Sequence, residues 1–377
     1  MAEAPTKPQK WVPGLFGKQS AYDLWLESTG MPVYGGQYIQ DIRTLELGYC
    51  AQRECDGAIL RLEGQGGLLE ARVIEIPPGK TLPPFKFALD EVVYVAKGRG
   101  LTTIWGGHEK AKQTFEWGPR GLMLIPRNYT YQITNTSGTE PVRLLHYNAF
   151  PLTMTAIPNP SFFINNPALE PDMDQEEESE FFAEAKIVQG RGERMVWSGN
   201  FFPDLGVWDK LSRYETRGAG GHSVGLLFHN SPHTAHMSVF SPLTYKKTHR
   251  HGPGPFRPGA FLIIVSGEGH SIMWPWDDES QKTVVRWQEG TVFPPPDKWW
   301  HGHFNVGGSP ARYLALHPPG GFNMRESTQI EIQYTEEEPW VREMFESELA
   351  KRGLTSAMPA EVYTNPDYRW QYNDKYE

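Results

Sequence analysis

Cysteine is nearly absent from this 377-residue chain, which carries only Cys50 and Cys55. Two thiols cannot build a disulfide framework or a zinc knuckle, so the expectation is a pair of reduced thiols in a cytoplasmic protein. No apolar run reaches the ~20 residues of a membrane span, which argues against a membrane partner. The opening Met1-Ala2-Glu3-Ala4-Pro5 lacks the basic-then-apolar build of a secretory signal. Excess positive charge is missing too. With 36 Lys and Arg against 45 Asp and Glu, a net charge of −9 and a pI near 5.8, a nucleic-acid partner is disfavoured, because phosphate binding needs a clustered basic surface. Helical periodicity is scarce until near the C-terminus.

What is abundant is turn and strand material: 38 Gly, 32 Pro and 13% aromatic residues. That mix points to an all-β chain, and the length suits two domains. A short helix is expected over 21–28, stopped by Gly30; no firm assignment follows for 36–58. Strands are expected at 71–76, 91–95, 102–105, 122–125 and 131–134, and a second strand-rich block over 223–317. Between the blocks, Pro158, Pro160 and Pro167 break up a connector whose run of carboxylates at 172–180 reads as solvated surface. An amphipathic helix is expected over 335–353, with Trp340, Val341, Met344, Phe345 and Leu349 on one side.

The two blocks are copies. Gly98 and Gly267 are 169 residues apart, as are Trp105 and Trp274. Pro126, Tyr131 and Asn135 precede Pro296, His301 and Asn305 by 170, and Trp117 precedes Trp287 by the same number. Leu145-His146 matches Leu316-His317 at 171. Such constant spacing marks a tandem duplication.

Ten of the twelve histidines lie after residue 221. His249 and His251 are two apart, as are His301 and His303, so on extended strands each pair projects to one face. Facing strands that each carry an HxH can set three imidazoles around one divalent metal.

Each block resembles a cupin, the small jelly-roll or double-stranded β-helix barrel. The pattern is Gly, five residues, HxH, three or four residues, Glu, six residues, Gly, then a second motif PxGxxHxxxN. The chain is thus similar to the bicupins: two tandem cupin barrels with short N- and C-terminal helices, over 1–58 (extension), 59–150 (first barrel), 151–222 (connector), 223–320 (second barrel) and 321–377 (helical extension). In the first block Gly79 is followed by Phe85-Lys86-Phe87, Glu91 and Gly98, and Tyr131 stands at the third histidine position. Only Glu91 of the four usual ligands remains, too few donors for a divalent metal, so this barrel is expected to be a metal-free scaffold. In the second block the motif assigns His249, His251 and His301 as ligands. Ala260 stands where the glutamate would be, and the 252–259 loop is five residues longer than its counterpart: Phe87 to His251 is 164, Gly98 to Gly267 is 169.

Trp300-His301-Gly302-His303-Phe304-Asn305 and His249-Arg250-His251 resemble the corresponding stretches of gentisate 1,2-dioxygenase-like enzymes, including those acting on salicylate and 1-hydroxy-2-naphthoate. The resemblance implies a mononuclear Fe(II) site that cleaves a small hydroxylated aromatic substrate with O2; Mn, Ni, Cu or Zn would also accept imidazole. A homo-oligomer is expected as well. Two departures stand out: the metal barrel is C-terminal here, and the loop is lengthened. His303, two residues past His301, would face the cavity as proton acceptor or hydrogen-bond donor. Arg257 and Lys298 are candidates to bind a carboxylate or phenolate. Trp299 and Trp300 would flank the ligand, with His270 and Trp274 as further wall residues and Asn305 fixing a turn behind the site. The alternatives are a non-redox metal-dependent lyase, hydrolase or isomerase, or a non-catalytic metal-binding bicupin.

Overall fold

The computed structural model describes residues 19–106, 112–171, 181–190, 192–252, 258–320 and 328–376. Arg257, the carboxylate run at 172–180 and residues 253–257 of the lengthened loop lie outside them. Among the described residues strands dominate, in two sets of paired sheets. The first large sheet runs in the order Val33–Tyr34, Cys55–Leu60, Glu70–Ile76, Val142–Asn148, Glu91–Lys97, Leu122–Ile125, Phe201–Phe202. Its small partner sheet is Phe85–Lys86, Thr130–Asn135, Gly100–Trp105, Gln113–Trp117.

The second set repeats this order. Thr234–Phe240, Ala311–Leu316, Phe261–Ser266 and Val292–Phe293 are, in that order, the last four strands of the large sheet. The small sheet is Thr283–Trp287, Gly269–Trp274, Trp300–Asn305, His249–Gly252, with Thr328–Glu331 added at its edge. The molecule is therefore two tandem jelly-roll barrels, the all-β fold expected.

Strand alternation divides each large sheet into two buried faces. On the Glu70–Ile76 strand, Ile74 and Ile76 face the first barrel's interior, while Ala71 and Val73 face the other barrel. On the Thr234–Phe240 strand, Ala235, Met237 and Val239 join the same inter-barrel cluster. The two large sheets thus pack face to face across one apolar layer that includes Tyr94, Tyr147, Phe261, Ile263 and Leu314.

The sheets also exchange edges. Phe201–Phe202, between the repeats, pairs with Leu122–Ile125 of the first barrel, and Ile39 bridges to Val292 of the second. Strands of the first large sheet begin at Val33, and those of the second at Glu184, so both reach upstream of the motif-bearing blocks. The pairing that places Val33 beside Ile59 is parallel and non-local.

The N-terminal helix is Ala21–Thr29, entered through a Ser20–Asp23 capping box and stopped by Gly30 in the left-handed conformation at φ 70°. Its Tyr22 and Trp25 meet Phe150 beside the first barrel. The C-terminal helix is Pro339–Ala350, and Val341, Phe345 and Leu349 bury against Tyr245, Ile272 and Phe304 on the outer face of the second small sheet. None of the described helices is long and apolar enough to cross a membrane.

Candidate metal centre

His249 and His301 are cross-strand partners, and His251 lies two residues further along the same strand as His249. One ring nitrogen from each of the three lies within 4.8 Å of those of the other two. Burial drives the His301 ring down to about 4 and holds His249 well below its ordinary value, helped by the nearby Arg217 charge and the other imidazoles. Neutral rings keep the lone pairs that a cation needs.

The surroundings fit a divalent cation. His301 Nδ1 lies 3.0 Å from the Trp299 carbonyl. Donating there fixes the tautomer that leaves Nε2 free to ligate. His249 Nδ1 is buried with no hydrogen-bond partner among the described residues.

The three histidines lie on the wall of a cavity of about 370 Å³. Its charged lining is mostly cationic, Arg194, Arg217 and Lys298 against Asp297, while Val224, Leu262 and Ala315 give it an apolar side. A cationic wall around a divalent ion favours an anionic ligand.

His303 lines the same cavity and is 3% exposed. Its Nδ1 is 2.8 Å from Ser271 Oγ, which also accepts the Trp287 indole N–H at 3.0 Å. Lys298 reaches the cavity from a left-handed turn position, φ 62°, where the first barrel has Asn128 at φ 64°. A non-glycine residue held there costs of order 1–3 kcal/mol.

Other expected wall residues sit elsewhere. His270 and Trp274 face outward under the C-terminal helix: His270 stacks on Phe304 at 4.8 Å, and Trp274 meets Trp340 at 5.4 Å. Alternation requires this, because Ser271 and Met273 on the same strand face inward. Trp300 also packs outward, with the Arg250 guanidinium 5.1 Å from its ring centroid. Trp299 packs on the interior cluster and offers its carbonyl to His301. Asn305 ties the adjoining turns, donating to the Ser241 and Ser309 carbonyls and accepting from Gly307 N–H, as Asn135 does at its own turn.

The first barrel holds no such centre among its described residues. Phe85 and Tyr131 replace His249 and His301 as register partners. Glu91 pairs with Arg72 at 2.9 Å and accepts from the Tyr131 hydroxyl at 2.8 Å. Burial alone would raise the Glu91 carboxyl, but His146, Arg72 and Tyr131 together hold it down at about 2. The Arg53 guanidinium sits 4.0 Å over the Phe85 ring, so a fixed organic cation stands close to where the second barrel gathers its imidazoles.

Several residues of the second barrel's interior stand at positions whose residue type the motifs do not define. Registers and matching backbone bonds pair Ile74 with His236, Ile76 with Ser238, Leu82 with Lys246, Ile133 with His303 and Val142 with Tyr313. Each apolar residue of the first barrel is answered by a polar one. The signal lay in the constant offsets, followed through the positions that the motifs leave open.

No protein-family model and no curated protein matches the chain. Among solved structures, a deletion mutant of Bacillus subtilis oxalate decarboxylase is 12% identical, with 87% of this chain and 86% of that chain covered and a TM-score of 0.48. The vicilin of Capsicum annuum is 13% identical, covering 87% and 96%, TM-score 0.48. The formate complex of Lactobacillus farciminis oxalate decarboxylase gives the same four values: 13%, 87%, 96% and 0.48. The likeness at this distance concerns the course of the chain, and the chemistry of the site rests on its own residues.

Proposed function

We propose that the second barrel is the working half of a metal-dependent dioxygenase acting on a small hydroxylated aromatic substrate, with Fe(II) held by His249, His251 and His301. One observation carries this: three imidazoles, with no carboxylate among them, converge on the wall of a partly apolar, cation-lined cavity of about 370 Å³. Bound by imidazoles alone, Fe(II) keeps its full charge and offers open positions for an anionic chelate and for O2. The chain's own residues supply the rest. Trp299 orients His301, Ser271 orients His303 toward a substrate hydroxyl, and Arg217 and Lys298 hold a carboxylate or phenolate. Val224, Leu262 and Ala315 pack against the ring.

Metal analysis of anaerobically purified protein, followed by an oxygen-electrode screen of hydroxybenzoates and related diols, tests the reading. One metal per chain and substrate-dependent oxygen uptake are expected. Stoichiometric metal with no oxygen uptake would replace it with a non-redox lyase, hydrolase or isomerase, a second reading that the buried amine of Lys246 also suits.

A further inference from the structure

At the floor of the second barrel, Lys246 is 1% exposed. Its Nζ donates to Ser238 Oγ and to Tyr313 Oη, the latter at 3.2 Å. Ser238 in turn donates to the His222 carbonyl at 3.2 Å, which leaves its lone pairs turned to Nζ. Of the three, Tyr313 lines the cavity that holds the metal-site histidines. No ion pair joins Lys246 to a carboxylate among the described residues.

The groups facing Lys246 come from every neighbouring element: Tyr214 and Arg217 from the preceding hairpin, His236 beside Ser238, His303 from the small sheet, and Tyr313. Arg217 is a cation paired with Glu331 at 3.4 Å, and the phenol and imidazole groups facing Lys246 do not supply a resting negative charge. Burying an ammonium in such company is costly, whereas the twin barrel fills the same place with Leu82. A lysine kept at that cost has a use as an amine.

We propose that Lys246 is the proton sink of the site, acting through Tyr313 on a substrate hydroxyl bound at the cavity floor. The relay runs in the neutral amine, with the Tyr313 hydroxyl turned to donate across the same 3.2 Å contact to the Nζ lone pair: the substrate O–H bond breaks as its proton passes to Tyr313 Oη, while the Tyr313 proton passes to Nζ. The products are a substrate oxyanion and the Lys246 ammonium, with Tyr313 regenerated and no electron transferred. Tyr313 is the group that meets the substrate; Lys246 acts through it. Burial, with the Arg217 charge, pushes the Lys246 amine down to about 7 against the opposing effect of Tyr214, so a lone pair is present at neutral and mildly alkaline pH. The inference rests on the proposed function only for the hydroxyl of the substrate.

The probe is 4-nitrophenol, whose visible band appears on ionisation. Its apparent pKa when bound is measured in the full-length wild type and in Lys246→Met and Tyr313→Phe. Wild type should bind the probe with its pKa below the free value, and each variant should raise it by about one unit or more. Identical titrations in wild type and variants, or a probe that does not bind wild type, would overturn the proposal. Lys246→Met should fold, since the sister position carries Leu82, and Tyr313→Phe keeps the ring; melting curves check both. Metal analysis on the same samples keeps the two readings apart. Metal-free protein whose bound probe still responds to Lys246 loses the metal centre and keeps the sink, and metal-loaded protein with unresponsive titrations does the reverse.

Discussion

His249 and His301 face each other across an antiparallel strand pair with ring centroids 4.0 Å apart, and Phe85 and Tyr131 hold the same relation in the first barrel at 5.7 Å. One backbone frame thus carries two chemistries: imidazoles that converge, and an aromatic edge-to-face contact that fills the space.

Removing one imidazole of the triad should abolish stable metal binding. In wild type, metal at 100 times its Kd should stabilise the fold by about 2.7 kcal/mol, seen as a rise in melting temperature. His301→Ala should show no such rise, while His303→Ala should keep it, because His303 is held by Ser271 and stands outside the triad. Equal metal-dependent shifts in both variants would remove His301 from the ligand set.

Breaking the first barrel's buried pair should cost stability and leave metal content alone. Arg72→Met strands the Glu91 carboxylate, which is 0% exposed, at a cost of about 3–5 kcal/mol in chemical denaturation. The pH dependence has a definite sign. Glu91 is held at about 2 against an ordinary 4.5, so the folded state binds fewer protons. Its contribution, on the order of 3 kcal/mol, is complete above pH 4.5 and lost as pH falls toward 2. Glu91→Gln should flatten that acid limb; an unchanged limb would show that Glu91 is not its source.

Restoring histidines to the first barrel should not restore a metal site. In Phe85→His/Phe87→His/Tyr131→His the guanidinium of Arg53, now 4.0 Å and 5.1 Å from the Phe85 and Tyr131 rings, and that of Arg72 still oppose a divalent ion. Metal stoichiometry is expected to stay at one per chain. A second equivalent in the triple variant would mean that the two arginines do not guard the position.

Much of this arrangement was legible from spacing. The constant offsets gave the duplication, and the period of two along a strand put His249 and His251 on one face. The same period did not place His270 and Trp274. Both faces of the Gly269–Trp274 strand are buried, one by the barrel interior and one by the C-terminal helix, so the polar–apolar alternation that tells inside from outside is missing. The Val33–Tyr34 pairing escaped because a two-residue parallel contact with Ile59 has no local signature. Lys246, Tyr313 and Arg217 escaped because they stand at positions whose residue type the motifs do not define, where only residue-by-residue comparison of the copies shows Leu82 and Val142 giving way to an amine and a phenol.

Lys246 also predicts a slope of stability with pH opposite in origin to that of Glu91. Its amine sits at about 7 in the folded chain against an ordinary 10.5. Between those values the unfolded chain binds more protons than the folded one, so stability rises with pH. Below pH 7 both states are protonated and the full cost of the buried ammonium remains. The rise due to this one group is roughly 1.4 kcal/mol per pH unit. Lys246→Met should be the more stable protein at pH 7, with the gap to wild type narrowing steadily up to pH 9.5, as read from urea midpoints at a fixed slope m. Parallel curves across that range would mean that Lys246 is charged when folded, and the floor of the barrel would then be an anion anchor with no amine to accept a proton.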